Sequence, residues 1–532
     1  MSTRISFPRP VTGCLGLANF SCSAASRLLA VAGIVAVLSY CATSAVETLA
    51  SQEPGESARK SCHPRYVLTT NGSEEPLFDA IRRNDLERVR ELLDRGANLN
   101  ELSGSIGYTP LMWALRCGDE RIVSALLQAR PDMSVRNKYG DTALHVAVGF
   151  ENKKQRAAII ESLLKLGANP NARAKTRSVF EGALATSCPT EVFALLISKG
   201  LDVKGGEPPG CTALHDATRY ARADVVKLLL DAGADVNTQT PYGKTPLMNA
   251  ASDGSIEAVR LLLTAGADIH TVDEDGRTAL HHAAEEEVRL AAKVIKLLLD
   301  AGAEVDARTK EGVTPLMLAA YWNRSLETTE CLVAAGADIK ARDKHGRSVL
   351  SHAVSPLVSI RDILVPAFLR SHGTDVNVAD KRGWTPLMHA ARGSSVDVLR
   401  VLLYSDDEDV NVDARTDQGW TALLIAVGSS DPHVYARMCG QEPHEGQQEQ
   451  EPVGIYIAMA SAVASLGQAQ RVWALLKHGA DPDVRTKDGT TVDSLLEGRT
   501  DLDAQAIRAL VNLARAQKKL SAKQGAASVD ED

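Results

Sequence analysis

Aromatic residues are scarce in this chain of 532 residues, at 4%. A thick sandwich or barrel core normally relies on such side chains for filling, so a core of Ala, Leu and Val points to thin, closely packed helices. Basic surplus is also missing: 59 Lys and Arg stand against 67 Asp and Glu, a net charge of −8. Without a basic stripe there is no field to neutralise phosphates, which argues against nucleic acid as a partner. The nine cysteines make no CxxC pair. Cys14, Cys22 and Cys41 fall in or beside the N-terminal apolar segment, and Cys62, Cys117, Cys188, Cys211, Cys331 and Cys439 lack regular spacing. Neither a zinc site nor a disulfide framework is indicated. HExxH and GxSxG are absent as well. Gly243-Lys244-Thr245 imitates the end of a phosphate loop, but Thr238 stands where that motif needs its first glycine. No cofactor is expected and the chain reads as a non-enzyme.

What is present begins with an address. Arg4, Arg9 and Arg27 precede the apolar run 28–38, no acidic residue occurs before Glu47, and Thr43 and Ala45 occupy the small-residue places for a cut after Ala45. This is the layout of a secretory signal over residues 1–45. Residues 28–46 are free of charge and are also just long enough for a membrane anchor, the one route by which this chain would meet a membrane. Lipid attachment at Cys41 is a weaker third reading. All three place the rest of the chain outside the cytoplasm, with periplasm or secretion the expectation. Residues 46–74 read as a flexible polar linker.

From Glu75 a period takes over. A motif Gly-x-Thr-(Pro/Ala)-Leu recurs at Thr109, Thr142, Thr212, Thr245, Thr278, Thr314 and Thr385, with weaker copies at Glu75, Ser178, Ser348, Thr421, Ala458 and Thr491. Successive starts are 33 to 37 residues apart. In each copy the Thr caps a short Ala-rich helix, with Pro suited to the first helical position where no amide donor is missed. A second helix carries an apolar stripe, such as Val225, Val226, Leu228 and Leu229. A glycine, as at Gly233 or Gly302, then ends it. One unit cannot bury its stripe alone and must stack on copies of itself. The Thr142, Thr278 and Ser348 units hold extra residues between their helices, read as tolerated lengthening of a surface turn.

These units resemble ankyrin repeats, which share the 33-residue period and the TPLHxA signature. The resemblance covers residues 75–516 and implies an all-α solenoid of about thirteen helix-turn-helix units joined by extended hairpin-like turns. The Ser178 unit lacks Leu-His and the Ala458 unit lacks its capping Thr. An acidic, Gln-rich stretch at 440–452 reads as a disordered insertion, and 517–532 as a polar tail. The resemblance further implies that His145, His215 and His281, at the fourth motif place, tie helix to turn. It places fifth-place residues on a concave binding face, among them Trp113, His282, His352 and His389. Trp384 and Trp420, just before the capping Thr, are expected at the turn surface. The expected contact strip is Trp384, His389 and Trp420, flanked by His352 and Arg347, with Trp113 on the same face. The expected function is a non-catalytic scaffold that binds an as yet unidentified protein through that face and the turn tips. Two other classes stay open: a structural or self-assembling envelope spacer, and an enzyme with an unrecognised site.

Overall fold

A computed structural model describes residues 76–117, 119–150, 153–206, 211–285, 290–322, 326–354, 363–393, 395–404, 410–429 and 467–527. The expected signal, the linker, the 440–452 insertion and most of the lengthened inter-helix turns lie outside these residues.

The described residues form twenty-four helices in twelve consecutive pairs. The first four pairs are α1 (Pro76–Arg82) with α2 (Leu86–Asp94), α3 (Pro110–Cys117) with α4 (Glu120–Gln128), α5 (Ala143–Ala147) with α6 (Lys153–Lys165), and α7 (Val179–Ala185) with α8 (Thr190–Ser198). Next come α9 (Ala213–Arg219) with α10 (Ala223–Asp231), α11 (Pro246–Ser252) with α12 (Ile256–Thr264), α13 (Ala279–Glu285) with α14 (Ala291–Asp300), and α15 (Pro315–Trp322) with α16 (Leu326–Ala334). The last are α17 (Val349–Ala353) with α18 (Leu364–Ser371), α19 (Pro386–Gly393) with α20 (Val396–Leu403), α21 (Ala422–Gly428) with α22 (Gln468–Lys477), and α23 (Val492–Leu496) with α24 (Leu502–Ala527).

Odd-numbered helices pack side by side as an inner row and even-numbered ones as an outer row. The inner row is close because its contact residues are small: Ala250, Ala251, Ala283, Ala284, Ala319 and Ala320 are all buried. Several inner helices start at a capping residue, as where Met248 N donates to Thr245 Oγ1 (3.3 Å). Between pairs the chain runs out to a tip and back. Neighbouring tips are stitched by single backbone bonds. Lys175 N donates to Tyr139 O (2.9 Å), Glu274 N to Tyr242 O (3.0 Å), Lys310 N to Asp275 O (2.8 Å), Lys344 N to Glu311 O (2.9 Å) and Lys381 N to His345 O (2.9 Å).

That ladder shows an order of tips different from the one expected after Thr421. After Asp417 N donates to Arg382 O (3.1 Å), the next rung is Lys487 N to Gln418 O (3.0 Å). Arg415 likewise reaches across to Arg485 O (2.9 Å). The tip before Thr421 therefore packs directly on the tip before Thr491. In keeping with this, α22 packs on α21 as its outer partner and lies between α20 and α24 in the outer row. The start of the copy expected at Ala458 falls in residues 430–466, outside the described residues, and the helix that follows, α22, is the outer partner of α21. A second difference is at the end, where α24 continues to Ala527 through the segment expected as a polar tail.

Candidate interaction face

The fourth-place histidines are structural. Thr278 N donates to His281 Nδ1 (3.1 Å), which leaves the Nε2–H to donate to Val313 O of the next tip (3.1 Å). His215 does the same between Thr212 N (3.2 Å) and Lys244 O (3.1 Å). Both rings therefore join one unit to the next, while His145 accepts from Thr142 N (3.1 Å) within its own unit. Burial pushes the His281 pKa down from 6.5 to about 4. A histidine depressed in the folded state binds its proton more readily when unfolded, so stability drops as pH falls from 6.5 towards 4. For His281 the loss is on the order of 3 kcal/mol. Urea unfolding at pH 7 and pH 4.5 checks this: His281→Gln should show a clearly weaker pH dependence than the native chain, and equal slopes would refute the assignment.

The fifth-place histidines turn inward too. His282 Nε2 lies 2.9 Å from Asp273 Oδ2, His352 Nε2 3.1 Å from Asp343 Oδ2, and His389 Nε2 3.8 Å from Asp380 Oδ2. Each Asp sits nine residues earlier, at the tip of the same unit. There its other oxygen holds the turn, as where Asp343 Oδ1 accepts from Arg347 N (2.9 Å) and His345 N (2.9 Å). Burial alone would raise the Asp343 carboxyl. Hydrogen bonds from His352 and the Arg347 amide, with the Arg347 charge, outweigh it and hold the group far below the usual carboxylate range. Against the same burial, Asp273 is lowered by hydrogen bonds from His282 and the Arg277 amide, and Asp380 by those from the Trp384 and Arg382 amides. Burial in turn lowers His352, so its neutral ring donates Nε2–H to Asp343. These pairs escaped the sequence reading, although their signal is plain: Asp273, Asp343 and Asp380 each stand nine places before a fifth-place His, whereas Asn137 precedes Val146, Thr240 precedes Asn249 and Thr309 precedes Leu318.

The expected contact strip changes accordingly. Trp384 is 5% exposed and Trp420 2%, and both belong to the continuous core. The tip turn folds back on itself, with Asp380 N donating to Trp384 O and Thr416 N to Trp420 O, both at 2.9 Å. This closure lays the indoles against the stack instead of in solvent. His352 is buried as well. Three members of the strip therefore offer no surface to a partner. Arg347 remains partly exposed, with Nε donating to Asp343 Oδ2 (2.7 Å). His389 is half-buried, its ring 5.2 Å from that of Trp384. Trp113 is half-buried with its edge against Tyr108 at 5.7 Å.

Other aromatics are left bare, at tips, at the ends of inner helices and, with Tyr404 (54%) and Trp473 (41%), along the outer row. Tyr139 and Tyr242 stand at tips with 55% and 70% exposure, and Tyr220 and Trp322 end inner helices with 40% and 49%. Trp322 packs edge-on against Tyr321 at 4.8 Å, and Arg219 lies over the Tyr220 ring at 5.5 Å. No group of His, Cys, Asp and Glu among the described residues is arranged to hold a metal ion. No described helix is long and apolar enough to cross a membrane. A groove lies between α2 and α4, lined by Arg90, Asp94, Glu120, Arg121 and Ser124.

An inner row of capped Ala-rich helices, an outer row of Leu-rich helices and a ladder of tips define a helical repeat solenoid. Models of ankyrin repeats match residues 35–137, 77–174, 233–309 and 358–444 as runs of three copies, 298–353 as a run of many copies, and 209–241 as a single repeat. The chain belongs to the ankyrin repeat family. It is similar to an ankyrin repeat-containing protein of Treponema pallidum, 36% identical over 91 residues, which covers 17% of this chain and 29% of that one. The ankyrin repeat and SAM domain-containing protein 6 of Rattus norvegicus is 32% identical over 138 residues, 25% of this chain and 15% of that one. The glycerophosphocholine phosphodiesterase gde1 of Schizosaccharomyces pombe is 30% identical over 146 residues, 27% and 12% of the two chains. The matched stretch spans less than a third of each relative's length. Ankyrin repeats in general mediate protein–protein interaction and are not themselves enzymes.

Proposed function

We propose that this chain is a non-catalytic scaffold that binds a partner protein across its inner helices and tips. The observation that carries this is the set of bare rings at tips and at the ends of inner helices, Tyr139, Tyr220, Tyr242 and Trp322, in a chain so poor in aromatics. Exposed aromatics on a rigid frame concentrate binding energy, often about 2 kcal/mol or more each, because little order is lost on contact. Trp113, Arg347 and His389 flank them as weaker contributors. The array works passively, its surface already formed before the partner arrives.

The N-terminal pattern of arginines, apolar run and small residues supports a location outside the cytoplasm, in the periplasm or beyond the cell. Cell fractionation with N-terminal sequencing tests this part: a chain starting at Val46 is expected, and an intact Met1 in the cytoplasmic fraction would refute it. For the binding face, Tyr242→Ala with Trp322→Ala should weaken recovery of a specific partner from envelope extract at least tenfold. The helical signal and urea midpoint should stay unchanged. Undiminished recovery by the double variant would move the contact surface elsewhere.

A further inference from the structure

The last described helix is α24. One side packs on the array through Ala504, Ile507 and Val511, all buried. Salt bridges hold the same side: Arg515 to Asp483 (2.8 Å) and Asp493 (2.7 Å), and Lys518 to Asp481 (2.7 Å). The terminal unit of a solenoid normally turns a polar face to water. Here the opposite side of α24 does not. Leu502, Leu513 and Leu520 are 84%, 56% and 60% exposed, and Ala506, Ala509 and Ala516 are exposed between them.

Positions 502, 506, 509, 513, 516 and 520 alternate steps of four and three. That is the seam a helix presents to a partner helix, extending about 27 Å at 1.5 Å per residue. Single exposed leucines are ordinary, but an unbroken seam of six positions is not.

The seam is its own complement. Reversed about Val511, it sets Leu502 against Leu520, Ala506 against Ala516, and Ala509 against Leu513. The flanks agree: Asp503 meets Gln517, Gln505 meets Lys519, Leu510 meets Leu510 and Asn512 meets Asn512, so no like charges face each other. A parallel pairing would instead stack every Ala on Ala and every Leu on Leu, giving three thin layers and three thick ones. The antiparallel order spreads volume more evenly and sets the helix dipoles favourably.

We infer that a second copy of this chain covers α24, giving a two-fold, antiparallel helix pair that joins two arrays end to end. Such an interface uses the same patch twice and so closes at two copies. It lies on α24, apart from the aromatic residues proposed above, so either reading can fail without the other.

Sedimentation equilibrium of the full chain tests the inference. A dimer is expected at about 100 µM, and Leu513→Glu with Leu520→Glu should yield a monomer with unchanged helicity and urea midpoint. A chain carrying Gln505→Cys and Lys519→Cys should form a covalent dimer on oxidation, through a bond between position 505 of one copy and 519 of the other. The cysteine-unaltered chain should not. A monomeric native chain, a dimer that survives the charged pair, or failure of the cross-link would each overturn it.

Discussion

Leu229→Ala is expected to cost about 2–5 kcal/mol, because it empties a closed site with little means of collapse. Leu229 is fully buried on α10, whose neighbours in the outer row are α8 and α12. In a globular core such a cavity lowers one cooperative transition. A stack is different, since its stability is a sum of unit and interface terms. The loss falls on the coupling between the fourth, fifth and sixth pairs, so urea unfolding should both shift and split into two transitions. A change below about 1 kcal/mol with a single sharp transition would mean that this stripe does not hold its neighbours together.

Gly383→Ala should be almost as damaging, for a reason that lies in the backbone. Gly383 has φ +79°, and an added Cβ would stand 2.8 Å from Thr416 Cα and 3.1 Å from Arg415 O of the next tip. Left-handed strain of about 1–2 kcal/mol then combines with forced separation of the tips and loss of the Asp417 N to Arg382 O bond, worth about 1 kcal/mol. The expected total is about 2–4 kcal/mol. Gly302→Ala supplies the control: its φ is +95° but nothing stands within 4 Å, so only the strain of about 1–2 kcal/mol applies. Hydrogen exchange at the Asp417 amide should quicken in the first variant alone. Equal costs for the two substitutions would show that the tips do not approach so closely.

The helices and their caps were legible because each depends on neighbours in the chain. Thr245 ahead of Pro246, paired alanines in the first helix and a glycine after the second are local instructions. The order of tips between Thr421 and Thr491 shows where such reading stops. Periodicity counts residues, whereas the tip ladder runs straight from the tip before Thr421 to the tip before Thr491. The error in the contact strip has a related cause. A tryptophan before the capping Thr is exposed or covered according to how its tip folds back on the stack, and nothing adjacent to Trp384 or Trp420 encodes that. The Asp–His pairs were within reach, since their nine-residue spacing lies inside one unit.

Composition and spacing thus settled the unit itself: its two helices, its caps, its glycine stops and the need for copies to stack, all of which follow from short-range backbone chemistry and from an apolar stripe that no single pair can bury. Contact across the stack settled the rest. Only there does Lys487 meet Gln418, only there do Trp384 and Trp420 lose their solvent, and only there is the outer seam of α24 left uncovered. Those outcomes depend on which units come to lie side by side, a property of the packed array and not of any stretch of chain.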